Sequence, residues 1–154
     1  MILRAAKIVS LLVFVVWSVG TAAALETFRT ESLTIRTAAG NDYRFDVEMA
    51  ETPGQMMQGL MFRTELAPDA GMLFVHEHDT LATMWMKNTY IPLDMVFVDR
   101  TGRIVGIHER AQPHSLDTIA APEPVRAVLE LVGGITSRLG IRKGDQVLHP
   151  AFGG

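Results

Sequence analysis

Met84-Trp85-Met86-Lys87-Asn88-Thr89-Tyr90-Ile91-Pro92-Leu93-Asp94 runs straight into the apolar Met95-Val96-Phe97-Val98. The stretch reads as strand, corner, strand. If residues 84–87 are extended, alternation puts Met84 and Met86 on one face and Trp85 and Lys87 on the other. Pro92 has no N–H to give a ladder, so pairing stops there or is confined to an edge, and the polar Asn88-Thr89 pair forms the corner. In the following run Asp94 shares a face with Val96 and Val98. A carboxylate among apolar side chains must be paired or hydrogen-bonded, and Lys87 or the amides of Asn88-Thr89 are the nearest candidates. A polar cluster at a strand corner is the expectation.

Outward from this stretch the chain is a succession of short strands. Leu33 to Thr37 and Tyr43 to Ala50 flank Ala-Ala-Gly-Asn-Asp, a hairpin signal, and in the second run Tyr43, Phe45, Val47 and Met49 alternate with Arg44, Asp46 and Glu48. Thr52-Pro53-Gly54-Gln55 predicts a helix start with Thr52 as N-cap and Gln55 closing a capping box. Gly59 would end that helix. Pro68-Asp69-Ala70-Gly71 turns into a strand at Met72 to Val75, and His76, Glu77, His78 and Asp79 are expected in the loop before the next strand at Ala82 to Met86.

On the far side, Asp99-Arg100-Thr101-Gly102 closes a hairpin onto Arg103 to Glu109. Residues 111–124 carry three prolines and no periodicity, which suggests a mobile flap over a site. Val125 to Leu131 alternates, with Arg126, Val128 and Glu130 on one face. Gly133-Gly134 leads into a short helix, Gly140-Ile141 stops it, and Gln146 to His149 forms a last strand. The sum is a β-rich α+β fold: one compact domain, a bent sheet or small barrel of about seven short strands with two short helices.

The chain opens with Arg4 and Lys7, the apolar run Ile8 to Val19, and Ala22-Ala23-Ala24. That order predicts a signal peptide over residues 1–24, cut after Ala24, and a single domain over 25–154 in a periplasmic or otherwise extracytoplasmic space. The alternative is an uncleaved anchor, which would be the only attachment to a membrane. The absence of cysteine excludes disulfides, thiolate nucleophiles, cysteine-ligated metals and lipid attachment at a processed cysteine. The net charge of −3 includes Arg4 and Lys7, so the domain itself is more acidic still. With no basic run, nucleic acid is not an expected partner.

Several residue sets could carry chemistry. Trp85, Lys87, Asn88 and Asp94 offer an aromatic platform, a cation, an amide and a carboxylate that could hold a small polar molecule, or could form a structural network capping the corner. Gly133-Gly134-Ile135-Thr136-Ser137 puts free amides and two hydroxyls at a helix start, a natural anion site or simply a tight turn. His76-x-His78 resembles a ligand pair but lacks a third ligand at suggestive spacing. Nine methionines raise Cu(I) binding, yet Met56, Met57, Met61, Met72 and Met95 sit in apolar runs and read as core filler. No metal or other cofactor is expected. Serine catalysis has no G-x-S-x-G to support it, and paired-acid hydrolysis by Asp94 and Glu130 requires their strands to be neighbours.

At Gly59-Leu60-Met61-Phe62-Arg63, Gly71-Met72-Leu73-Phe74-Val75, Trp85-Met86-Lys87-Asn88-Thr89, Pro92-Leu93-Asp94, Val128-Leu129-Glu130-Leu131 and Gly144-Asp145 the chain resembles the family catalogued as domain of unknown function 192. The motifs occur in the family's order over about residues 45–148. The resemblance implies a compact β-rich, often exported domain with no established activity, and it marks Arg63, Trp85, Lys87, Asn88, Asp94 and Glu130 as the polar positions of its motifs. The expected function is non-enzymatic binding of a small polar, sugar-like ligand or envelope glycan by those six residues. The alternatives are an acid/base hydrolase of envelope glycans using Asp94 and Glu130, and a structural or interaction module of the cell envelope.

Overall fold

The computed structural model describes residues 25–153; the leader expected over 1–24 lies outside the described residues. The elements follow in the order β1 (Thr30–Arg36), β2 (Asp42–Ala50), α1 (Pro53–Gln58), β3 (Ala70–Thr80), β4 (Thr83–Met84), β5 (Leu93–Val98), β6 (Ile104–Ala111), β7 (Ile119–Ala120), β8 (Val125–Val132), α2 (Ile135–Leu139) and β9 (Gln146–Leu148). Seven strands form one sheet in the order β6-β5-β8-β3-β2-β1-β9, and β4 pairs separately with β7. The sheet curls into a half-barrel. Its two edges are tied at one end, where Val147 N–H donates to Gly102 O at 2.7 Å and Ile104 N–H to Asp145 O at 2.9 Å.

Period-2 alternation divides every central strand between two apolar layers. Leu33, Ile35, Phe45, Val47, Leu73, Val96, Val98, Leu129 and Leu131 fill the inside of the curl, with Ile135, Ile141 and Phe152 closing over it. Met72, Phe74, Leu93, Met95, Phe97 and Val128 face outward, but they too are buried, under Leu60, Ala82 and Met86 of the connecting segments. The outer layer explains why β5 reads as an almost unbroken apolar run: all six of its residues are buried.

Most expected elements are where the sequence put them, with three differences. Residues 76–80, expected as a loop, continue β3, because an irregularity between Val75 and Thr80 lets the strand leave β8 and rejoin it at Val125. The strand expected over 82–86 is regular only at Thr83–Met84, since the following residues turn into the corner. The segment 111–124 is no free flap. It is bonded along its length to the 82–89 segment, through Met86 N–H to Ser115 O, His114 N–H to Thr89 O, the β4–β7 pairing and Ala121 N–H to Ala82 O.

Candidate functional site

The two carboxylates singled out from the sequence lie on opposite faces of the sheet. β5 and β8 are neighbours, with Asp94 opposite Leu131 and Met95 opposite Glu130. Side chains alternate, so Asp94 points into the curl with Val96 and Val98 while Glu130 points outward between Met72 and Met95. The paired acids needed for glycan hydrolysis therefore do not face a common bond.

Asp94 is fully buried, and its partners are not those expected. Neither Lys87 nor the Asn88-Thr89 amides reach it. Its Oδ1 accepts from Arg110 N–H at 2.8 Å and Gly134 N–H at 2.7 Å, and its Oδ2 accepts from Thr136 N–H at 3.0 Å and Thr136 Oγ1 at 2.7 Å. The amides of Gly134 and Thr136 that looked like an anion site in the sequence are thus filled by the chain's own carboxylate. Gly134 adopts φ 87°, and a Cβ there would fall 2.6 Å from the Arg110 guanidinium, so glycine is required for the turn. Four hydrogen bonds knit β5, β6 and the start of α2, which is a structural role. A wider hollow of about 470 Å³ lies nearby between Arg110, Ser137 and Arg138, but the buried polar group beneath it is already satisfied.

Glu130 has the opposite situation. It is 4% exposed, and burial alone pushes its carboxyl up from 4.5 to about 8, with neither a hydrogen bond nor a nearby charge among the described residues to offset the loss of water. The carboxyl sits at the floor of a cleft of about 80 Å³. One wall is the end of α1 and the segment after it, Met56 to Met61; the other is Thr83 to Lys87 with Thr89. Phe74 lies beside Glu130.

Local sequence dictates both walls. Thr52 caps α1, accepting from Gln55 N–H at 3.2 Å while Gln55 Oε1 accepts from Thr52 N–H at 3.1 Å, as the sequence predicts. No residue of the helix is fully buried, but Met56 packs half-buried against the outer layer, and the cap and ties to the incoming chain, Gln55 Nε2 to Thr27 O and Glu26 N–H to Gln58 Oε1, hold the rest. Gly59 ends it at φ 49°, where a Cβ would stand 2.9 Å from the Phe74 ring. In the other wall, alternation buries Met86 and leaves Trp85 and Lys87 outside, as expected, with Lys87 Nζ 5.1 Å from the centre of the Trp85 ring. Asn88 takes φ 55° and makes the corner.

Of the six residues expected at one site, the cleft brings together Trp85, Lys87 and Glu130. Arg63 is engaged with Glu48, its guanidinium donating to both carboxylate oxygens at 2.9 and 2.7 Å. Asn88 stands behind the cleft, its Nδ2 3.9 Å from Met61 Sδ and its carbonyl accepting from Phe62 N–H. Asp94 is on the far face. The lining residues missed by sequence reasoning are chiefly methionines: Met56, Met57, Met61 and Met84 border the cleft, and Met57 is 74% exposed. Met57 and Met61 are not the core filler their apolar surroundings suggested, whereas Met56 packs half-buried against the outer layer. The available signal was Gly59, which stops the helix before it can present a buried face.

A half-barrel domain with a narrow cleft on its covered outer face, floored by one unsatisfied acid, is the class that fold and site define. Compared with protein families, the chain matches DUF192, described as Uncharacterized ACR, over residues 34–149, and it belongs to that family. No curated protein matches the chain. Among solved structures it is similar to a proposed transcription regulator from Sinorhizobium meliloti 1021, with 44% identity, TM-score 0.81, and coverage of 82% of this chain and 98% of that one. It is also similar to a protein of unknown function from Novosphingobium aromaticivorans DSM 12444, with 38% identity, TM-score 0.77, and coverage of 84% and 94%.

Proposed function

We propose that the chain is a non-enzymatic binding module for a small polar ligand, which enters the cleft between Trp85 and Gly59 and meets Glu130 at its floor. One observation carries the reading: a carboxyl that is 4% exposed and has no protein partner borders a cavity rather than packed side chains. A buried polar group ordinarily finds a partner, and one left open towards a cleft is set to find it in a ligand. Trp85 and Lys87 at the rim supply an indole edge and a cation, and a sugar-like molecule is one candidate class. The cleft contains one carboxyl, and its second charged group, the Lys87 ammonium, stands over Trp85, so the paired carboxyls of glycan hydrolysis are not present there, which favours binding over hydrolysis. The leader pattern at Arg4, Lys7 and Ala22-x-Ala24 supports an extracytoplasmic location. A regulator's role, such as the Sinorhizobium meliloti relative's name carries, finds no support in the acidic charge of this chain if nucleic acid is the target.

The test is a thermal-shift panel on the full chain with sugars, glycan fragments, organic acids, amino acids and nucleotides. A ligand at 100 times its dissociation constant adds about 2.7 kcal/mol, which is several degrees for a domain of this size. The expected result is a hit that Glu130→Gln and Trp85→Ala abolish. Hits that survive both substitutions would place binding elsewhere.

A further inference from the structure

The cleft is narrow and its polar groups are few. Its volume of about 80 Å³ is well below the roughly 300–1,000 Å³ of drug-sized pockets, so the ligand has few heavy atoms. Between floor and rim the walls are thioethers and aromatic carbon from Met56, Met61, Met84, Phe74 and Trp85. Of the neutral polar side chains, Gln58 Oε1 accepts from Glu26 N–H and Thr89 Oγ1 donates to Lys87 O, and the Thr83 hydroxyl also lines the cleft. The charged groups are a carboxyl at the floor and an ammonium at the rim, Lys87 having no carboxylate within salt-bridge distance among the described residues. A polyol would set several hydroxyls against sulfur and ring carbon and lose their hydrogen bonds.

Resting on the binding reading above, we infer that the ligand is a short zwitterion of the amino-acid class, its ammonium on the Glu130 carboxyl, its carboxylate towards Lys87, and its carbon chain between the methionines. Polarisable sulfur and aromatic faces suit the ammonium end as well, as the Lys87 ammonium over Trp85 illustrates within the protein. Free Glu130 holds its proton at neutral pH; an arriving ammonium carries its own, so Glu130 ionises to pair with it and one proton leaves to solvent. The charged groups facing the same side are few. Lys87 comes from the corner segment; Glu48 of β2, in line with Glu130 across Met72 of β3, is neutralised by Arg63; Arg126, four residues before Glu130 on β8, donates to Glu77 O; and β5 presents Met95, with His108 of β6 beyond it.

Calorimetry on the full chain at neutral pH decides the matter, with glycine, β-alanine and γ-aminobutyrate as probes and propylamine, butyrate and glycerol as comparisons. At least one zwitterion should bind, at least tenfold more tightly than its singly charged counterparts. Repeating the titration in buffers of different ionisation enthalpy should give close to one proton released. Glu130→Gln should abolish both binding and release. Lys87→Gln, at an exposed position that the fold does not need, should reduce zwitterion affinity to that of the amine alone. Binding of zwitterions without proton release, or unchanged in either variant, overturns the inference. If glycerol or sugars bind in a Glu130-dependent way and zwitterions do not, the amino-acid class is wrong while the binding module stands; if nothing binds here or in the wider panel, both fail.

Discussion

Asp94 and Glu130 look alike in the sequence, each an acid in an apolar strand, and the structure gives them opposite roles. Asp94 accepts four hydrogen bonds inside the curl. Asp94→Asn turns an amide NH₂ towards backbone donors, so it should destabilise by about 2–4 kcal/mol in urea unfolding, more than a surface substitution does. A loss below about 0.5 kcal/mol would show that those bonds carry little. Glu130 is linked to pH with the opposite sign from a salt-bridged acid. The unfolded side chain loses its proton near 4.5 and the folded one near 8, so its contribution to stability is complete below about pH 4.5 and is lost as the pH rises through 8. Wild type should therefore lose stability relative to Glu130→Gln between about pH 5 and about pH 9, by an amount on the order of a few kcal/mol. Parallel stability curves for the two proteins would contradict this. The sequence revealed that Asp94 needed partners, but its donors lie 16 to 42 residues away, beyond the reach of any local pattern.

The α1 wall is the element on which the cleft depends, and it is held by its cap and end ties, with only the half-buried Met56 packing against the outer layer. Thr52→Ala removes the capping box and should cost about 1 kcal/mol. Because no side chain of α1 is buried, the effect on the ligand that the panel identifies should exceed the effect on global unfolding. Equal losses would mean that the helix and sheet unfold as one unit. Gly59→Ala should do more: it adds strain at φ 49° and drives a methyl towards the Phe74 ring, so a stability loss of about 1–2 kcal/mol should accompany closure of the cleft. The helix itself was readable from Thr52, Pro53, Gln55 and Gly59, because capping chemistry is local. The continuation of β3 through His76 to Thr80 was not, because it follows from renewed pairing with β8 rather than from the polar residues themselves.

Across the molecule, alternation made the two-faced sheet legible, and strict period-2 runs in β2 and β8 sorted Phe45, Val47 and Leu129 from Glu48 and Glu130 before any coordinates. Strand order was not legible, since β8 inserts between β3 and β5 only through long-range pairing. That insertion separates the expected corner cluster into an inner structural acid and an outer cleft. It also places Glu130 in the middle of the sheet, under cover and facing the cleft. Binding, pH dependence and ligand class all rest on this carboxyl being buried and without a partner among the described residues. Carbon-detected NMR titration of the glutamate side chains, with Glu130→Gln supplying the assignment, measures it directly. A midpoint near 8 for Glu130 is the expected result; a midpoint near 4.5, as for a solvated glutamate, would contradict the account.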